Sequence, residues 1–137
     1  MKNKIKNSKS KMQNCNSKFK IDIKKRTFTY ALEIIKFIDQ LNKNDLSAQV
    51  IARQLLRSGT SIGANVIEAQ ASSSKKEFTN FLNYSLKSAN ESKFWLALLR
   101  DSGKTKRESA NSLLSEAKQL ANILASSILT LKGKRKT

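Results

Sequence analysis

The sequence predicts an all-α protein, an antiparallel bundle of four helices that run up, down, up and down. The chain has 137 residues, which is enough for one domain with a substantial core. It contains no proline and only four glycines, so few positions interrupt a helix. Apolar and small residues recur at alternating steps of four and three over four long stretches, and short polar segments separate these stretches. Short connections between long amphipathic helices are typical of an up-down-up-down bundle.

The first helix is expected to run from about residue 24 or 27 to residue 42. It carries two adjacent apolar stripes, which together form a face wider than a coiled-coil seam. The first stripe consists of Phe28, Ala31, Ile35 and Ile38, and the second of Tyr30, Ile34, Phe37 and Leu41. One stripe is expected to face the bundle and the other a second subunit, although a deeply buried helix would show the same pattern.

The second helix, expected from about residue 46 to 71, contains the small-residue stretch 57–69 around which the bundle is organised. Asp45 is a candidate N-cap for this helix. The helix seam is formed by Ile51, Leu55, Ser58, Ile62, Asn65 and Ala69. Small residues interrupt the wall of side chains at Gly59, Ser61, Gly63 and Ala64. Since an interior glycine costs about 1 kcal/mol relative to alanine, we predict that a neighbouring helix packs closely here, with the small residues of the third helix as its partners.

The third helix is predicted to begin at Lys75, because Ser74 and Glu77 have the spacing of a capping box. Its seam has small residues in the middle and consists of Phe78, Leu82, Ser85, Ala89, Ser92, Leu96 and Leu99. Gly103 is expected to follow its end. The fourth helix is expected from about residue 106 or 108 to 131, and its seam consists of Ala110, Leu114, Ala117, Ala121, Leu124, Ile128 and Leu131.

Positive charge is concentrated at the two ends of the chain, whose formal net charge is +17. We predict a disordered basic arm at 1–23, the bundle at 24–132 and a basic tail at 133–137. Residues 1–26 hold ten Lys or Arg and one Asp, and residues 132–137 hold four Lys or Arg and no acid. Such arms are a common footprint of nucleic-acid contact, and a solubilising tail has the same composition.

Several functional classes are excluded by composition. The chain has no histidine and a single cysteine, Cys15, so we expect no disulfide framework, metal site, cofactor or catalytic histidine. The segment 59–63 matches the G-x-S-x-G nucleophile elbow, but that motif needs a preceding strand and a histidine. No apolar run is long enough for a membrane span, and we expect no signal peptide because the basic N-terminal segment lacks an apolar core and a cleavage site. A non-enzymatic protein in the cytoplasm is the expectation.

The chain resembles the four-helix-bundle family of proteins encoded in intervening sequences of bacterial 23S ribosomal RNA genes. The resemblance rests on residues 54–65, 68–69, 75–78 and 91–99 and covers roughly residues 26–131. The accessory protein of diversity-generating retroelements is similar to this family. The resemblance implies a barrel-like homopentamer with a basic surface. The accessory proteins work beside a reverse transcriptase with nucleic acid. The lack of proline and the lysine-rich arm depart from many relatives.

The resemblance marks a set of positions that we interpret as structural: Arg57, Gly59, Ser61, Gly63, Asn65, Glu68, Glu91 and Trp95. A buried Asn65 would fix the register of the helices. Arg57 and Glu68 lie on one side of the second helix, and each is expected to find a partner on the third helix or on a neighbouring subunit. A metal held by Glu68 and Glu91 is the weaker alternative, because the chain has no histidine to complete such a site.

The leading hypothesis is a non-enzymatic, oligomeric bundle that binds RNA or DNA through its basic surface and arms, without strong sequence specificity. The candidate phosphate contacts are Lys75, Lys76, Lys104, Lys106 and Arg107. Phosphate contacts need charge and reach but no base code. The alternative is a protein-binding scaffold or adaptor, for example to a reverse transcriptase, whose basic charge is incidental.

Overall fold

A computed structural model of the chain describes residues 22–133. Within this range there are four helices and no strand: α1 (22–39), α2 (Leu46–Gln70), α3 (Lys75–Asp101) and α4 (Arg107–Leu131). Helix α3 packs against α2 and α4, and α1 contacts α2 and α4 through side chains. Since short loops join successive helices, neighbours in sequence are antiparallel. The predicted up-down-up-down four-helix bundle is therefore confirmed.

The helix starts follow the predicted capping residues. The Asp45 carboxylate accepts a hydrogen bond from the backbone N–H of Ala48 at 3.1 Å, and the Ser74 hydroxyl accepts one from the backbone N–H of Glu77 at 3.1 Å. Only this half of the predicted capping box forms, because the Glu77 carboxylate accepts from the Ser73 hydroxyl instead. Each cap satisfies a backbone donor that the first helical turn leaves free.

The end of α3 is a Schellman motif built on the predicted glycine. Gly103 has a φ of +73°, a conformation that side chains other than glycine rarely adopt. The turn lets the backbone N–H of Lys104 donate to the Leu99 carbonyl at 2.9 Å, while the N–H of Gly103 donates to the Arg100 carbonyl at 3.1 Å. These bonds satisfy two of the free carbonyls at the end of the helix.

The boundaries of α1 differ from those that the sequence predicted. Residues 22 and 23 are already helical, and Ile23 is buried, so these two residues belong to the bundle although the prediction placed them in the arm. The helix ends at residue 39, three residues early, yet Leu41 remains in the core. The rest of the predicted arm, residues 1–21, and residues 134–137 of the tail lie outside the described residues.

The two apolar stripes of α1 divide as expected, one inward and one outward. The inward stripe is buried and consists of Tyr30, Ile34, Phe37 and Leu41. On the other stripe the side chains of Phe28 and Ile35 are 66% and 41% exposed. An apolar helix side therefore remains open to solvent next to α2.

Serine hydroxyls connect α2 and α3 where the two small-residue seams cross. The Ser85 hydroxyl donates to the Ile62 carbonyl at 2.8 Å, and the hydroxyls of Ser92 and Ser58 are 3.0 Å apart. All three serines are buried. A side chain as short as serine reaches the facing backbone only when the helices approach closely, so the predicted close crossing of these helices is confirmed.

The glycines of α2 face α1, and this corrects the expectation that the third helix packs against them. A Cβ atom on Gly59 would lie 3.0 Å from Cγ1 of Ile34, and one on Gly63 would lie 3.2 Å from Oγ1 of Thr27. Both partners belong to α1 and are buried. Glycine at these positions thus permits the close approach of α1, while Ser58 serves α3.

Asn65 does not occupy the buried seam, so its predicted role in fixing register is wrong. It is half-buried, and its side-chain amide donates to the Ser61 carbonyl of the same helix at 2.8 Å. Val66 is buried in its place. With 3.6 residues per turn, steps of four and three from Ile62 reach either residue 65 or residue 66, and the apolar side chain takes the core.

Candidate nucleic-acid interface

The bundle topology brings basic residues from three helices to one end. The start of α1, the loop between α2 and α3, and the end of α4 all lie there, because successive helices are antiparallel. The exposed lysines at this end are Lys24, Lys25, Lys75, Lys76 and Lys132. We call them the basic pole. None of the five has an ion-pair partner within residues 22–133.

Residues 22 and 133, to which the two basic chain ends are joined, both lie at this pole. Residues 1–21 precede α1 with seven lysines and no acid, and residues 134–137 follow α4 with three more basic residues. Three acids, Asp22, Glu68 and Glu77, lie toward the same end. The sequence named Lys75 and Lys76 individually as candidate contacts, and it included Lys24, Lys25 and Lys132 only within the two basic segments 1–26 and 132–137.

Arg26 is also near this end, but its charge is used within the bundle. Its guanidinium lies 2.7 Å from the Glu116 carboxylate and 3.0 Å from the Gln119 side-chain oxygen. This contact raises the pKa of Arg26 and ties α1 to α4. Arg26 is therefore a structural cation and not a free phosphate contact.

The remaining predicted contacts lie at the opposite end of the bundle. Lys104 Nζ is 2.7 Å from Asp45 Oδ2, and Arg107 is 3.3 Å from Asp101, which Arg100 also contacts at 2.8 Å. Lys106 is exposed. Helix α3 has 27 residues, so about 40 Å separates these residues from Lys75 and Lys76. The structure thus divides the predicted contacts between two ends, and acids already hold part of the charge at this second end.

The ion pair of Asp45 and Lys104 joins the loop between α1 and α2 to the loop between α3 and α4. The pKa of Asp45 is lowered to about 2, mainly by the hydrogen bond from the Lys104 ammonium and to a lesser extent by that from the Ala48 N–H. Between about pH 4 and pH 2, Asp45 therefore remains ionised in the folded protein, whereas the same carboxylate binds a proton in the unfolded chain. Its contribution to stability is therefore present above about pH 4 and is lost as the pH falls toward 2.

We expect Asp45→Asn to flatten the acid-induced loss of stability. Asparagine still caps α2 but cannot pair as an anion with Lys104. Thermal melts monitored by circular dichroism measure this effect. Between pH 5 and pH 2 the melting temperature of the wild type should fall further than that of the variant. The variant should melt lower than the wild type at pH 7. Parallel acid profiles would contradict the role assigned to this ion pair.

Arg57, Glu91 and Trp95 form a polar cluster on the outer side of α2 and α3. The Arg57 guanidinium is 3.7 Å from Glu91 Oε1, and the Trp95 indole N–H donates to the same oxygen at 3.3 Å. Arg57 thus has a partner on the third helix, which is one of the two alternatives that the sequence predicted. Glu68 has no ion-pair partner within residues 22–133.

This cluster shows no arrangement suited to nucleophilic or metal chemistry. The Ser61 hydroxyl donates to the Arg57 carbonyl at 2.6 Å, and the chain has no histidine to accept its proton. Glu91 is occupied by Arg57 and Trp95, which argues against the metal pair with Glu68. In the part of the chain that the structure describes, no group of three or more His, Cys, Asp or Glu could hold a metal ion.

Among the helices of residues 22–133, none has both the length and the apolar content required to cross a bilayer.

Comparison with known proteins identifies the family of the chain. A family model described as 23S rRNA-intervening sequence protein matches residues 20–126. No curated protein matches the chain. The chain is similar to a protein with unknown function from the S23 ribosomal protein family of Bacteroides thetaiotaomicron, whose crystal structure was solved at 1.70 Å. The two are 36% identical with a TM-score of 0.74, over 80% of this chain and 96% of that chain. Since the family match spans most of its length, this chain belongs to the 23S rRNA-intervening sequence protein family.

Proposed function

We propose that this protein is a non-enzymatic, homo-oligomeric bundle of the cytoplasm that binds RNA or DNA through the basic pole and the two basic chain ends. The observation that carries the proposal is the basic pole itself, five exposed lysines that have no ion-pair partner within residues 22–133, at the end to which both basic chain ends are joined. Lysine is a mobile point charge on a flexible stem. Such groups suit contact with phosphates of any sequence.

The opposite end of the bundle lacks this arrangement. There Asp45 and Asp101 are each held by basic side chains, so much of the local charge is neutralised. The chain ends joined to the pole add ten basic residues and no acid, so positive charge is concentrated on that side despite Asp22, Glu68 and Glu77. A polyanion approaching the protein would be steered to that end, with an association rate that falls as salt is added.

We further propose that the protein forms a closed ring of five copies, the assembly that the family resemblance implies. The support in this chain is the open apolar side of α1, where Phe28 and Ile35 are exposed, because exposed apolar patches on a folded protein commonly mark an interface. A ring would place several poles near one strand of nucleic acid. Weak contacts would then act together through their effective concentration.

The proposal predicts salt-dependent binding that depends on the pole lysines. Labelled RNA and DNA of mixed sequence, single-stranded and double-stranded, should bind the full chain in fluorescence anisotropy, with affinity falling steeply between about 50 and 200 mM salt. Lys75→Glu with Lys76→Glu should weaken binding at least tenfold at low salt. The slope of log affinity against log salt should fall by about 2, since two phosphate contacts are lost.

A matched control is available at the other end of the bundle. The variant Lys106→Glu with Arg107→Glu changes the net charge by the same amount as the pole variant. It does so at the start of α4, whereas the pole pair lies at the start of α3. Acidic residues are tolerated at both helix starts. This control should keep most of the affinity. Equal losses in the two variants would contradict the pole, and no binding at low salt would favour the alternative protein-binding scaffold.

A further inference from the structure

An apolar groove of about 600 Å³ lies on the outer side of α1 and α2. Small residues form its floor, among them Ala31, Gly63 and Ala64, and the larger side chains of Phe28 and Ile67 stand beside them. Phe28 and Ile67 are 66% and 44% exposed. A concave apolar surface with a floor of small residues fits a large side chain from another molecule.

The same chain exposes a large aromatic side chain on the neighbouring side of the bundle. Tyr84 is 50% exposed and packs edge-on against Phe81, with ring centroids 6.0 Å apart. Tyr84 and Glu91 are seven residues apart and so lie on the same side of α3. Glu91 pairs with Arg57 of α2. Tyr84 therefore protrudes from the α2–α3 side, whereas the groove lies on the α1–α2 side.

The groove and Tyr84 lie at similar heights above the pole. The Ser85 hydroxyl, one residue after Tyr84, donates to the Ile62 carbonyl, and Gly63 lies against Thr27, one residue before Phe28. Tyr84 and the groove are therefore near one level, about 14 Å from the start of α3. Phe94, the other strongly exposed aromatic residue of α3, is about 28 Å from that end. A rotation axis parallel to the bundle brings together surfaces of equal height in neighbouring copies. Tyr84, and not Phe94, is therefore at the right height to meet the groove.

Charges at the pole end of these two sides are opposite. Lys24 and Lys25 line the groove, and neither has an ion-pair partner within residues 22–133. On the α2–α3 side, Glu77 lies seven residues before Tyr84, and Glu68 lies eleven residues after Arg57, which is about three turns. Both carboxylates are exposed and likewise lack ion-pair partners in the described range.

We propose that Tyr84 of one copy inserts into the α1–α2 groove of the next copy, with Glu68 and Glu77 facing Lys24 and Lys25. In such an assembly Lys75, Lys76 and Lys132 of each pole remain for phosphate contact. This inference rests on the proposed homo-oligomer and assigns the two surfaces that meet. The surfaces are different, so the contact is heterologous. They occupy adjacent sides of a four-helix bundle, so the two surfaces of one copy are at about 90° to each other. An angle of about 90° to 108° between them closes a ring of four or five copies. Contact surfaces on opposite sides would instead build a filament.

Two substitutions at exposed positions test the contact from both sides. Tyr84→Ala removes the inserted side chain, and Ala64→Phe fills the groove. Light scattering coupled to size exclusion, at moderate salt and without nucleic acid, should give a closed oligomer for the wild type and a monomer for each variant. An equimolar mixture of the two variants should form a 1:1 dimer and nothing larger, because one intact groove meets one intact tyrosine.

The controls separate this contact from misfolding and from the proposed nucleic-acid binding. Phe94→Ala removes an aromatic side chain of the same helix at a different height and should leave the oligomer intact. Lys24→Glu should weaken assembly, and adding Glu68→Lys in the same chain should restore part of it. A wild-type monomer, or assembly of Tyr84→Ala like the wild type, would overturn the inference. Binding of RNA by the monomeric variants at low salt would leave the proposed function standing on its own.

Discussion

Gly59→Leu is expected to lower the free energy of unfolding by about 1–3 kcal/mol, the usual effect of overpacking a filled core. A Cβ atom added at this position would lie 3.0 Å from Cγ1 and 3.1 Å from Cγ2 of Ile34, and Ile34 is fully buried. A leucine side chain extends well beyond its Cβ atom and must push α1 away from α2. The gain in helix propensity, about 1 kcal/mol, does not offset this displacement.

The measurement is chemical denaturation with matched helix substitutions. Arg53→Leu adds the same side chain at an exposed position of α2 and should change stability by less than about 0.5 kcal/mol. If Gly59→Leu raised the unfolding midpoint, as leucine would on an exposed helix, then α1 would not pack on this face of α2.

Tyr30→Ala is expected to have the larger effect, a loss of about 3–5 kcal/mol, as for other large aromatic side chains removed from a core. Tyr30 is the largest of the fully buried side chains and is 1% exposed. Its removal would leave a cavity at the centre of the bundle. The unfolding free energy from urea titration measures this loss directly.

Tyr30→Phe is the informative control, because it removes only the hydroxyl. The Tyr30 hydroxyl is buried without a hydrogen bond of regular geometry to another described residue. Burial raises the pKa of Tyr30, and a looser interaction with the Ser92 hydroxyl lowers it only in part. Because a buried and unsatisfied hydroxyl is destabilising, the variant should be as stable as the wild type or more stable. A loss above about 1 kcal/mol would show that the hydroxyl has a strong partner.

The same pair of proteins should differ at alkaline pH. Since the pKa of Tyr30 is raised in the folded state, ionisation of this tyrosine in the unfolded chain draws the equilibrium toward unfolding. The contribution of Tyr30 to stability is complete below about pH 10 and falls as the pH rises above that value. The melting temperature of Tyr30→Phe should therefore decline less between pH 9 and pH 11 than that of the wild type.

The sequence predicted the helices and their inner faces well, because both depend on local chemistry and helical periodicity. Asp45, Ser74 and Gly103 act at the helix ends as expected. On α3 the buried residues are the predicted ones apart from the half-buried Phe78: Leu82, Ser85, Ala89, Ser92, Leu96 and Leu99. A seam of this kind is specified by spacing alone, without knowledge of the partner helices.

The partners across the bundle could not be predicted from spacing. Periodicity placed Ser58 on the inward seam and Gly59 beside it, but it could not show that Ser58 faces α3 and Gly59 faces α1. That depends on how the helices are arranged. The contact of Lys104 with Asp45 joins residues 59 positions apart and depends on which loops meet at one end. For the same reason, the sequence placed Lys75 at the start of α3 and Lys104 in the loop after it, but it could not show that an acid already pairs with Lys104.

The hydroxyl contacts between α2 and α3 also fix how far one helix can slide along the other. A seam of purely aliphatic residues tolerates a shift of one turn, about 5.4 Å, since every position offers similar packing. Here such a shift would separate Ser85 from the Ile62 carbonyl and Ser92 from Ser58, leaving polar groups stranded in the core. These serines therefore fix the axial register of α3 against α2. In doing so they set the height of Tyr84 relative to the groove beside α2.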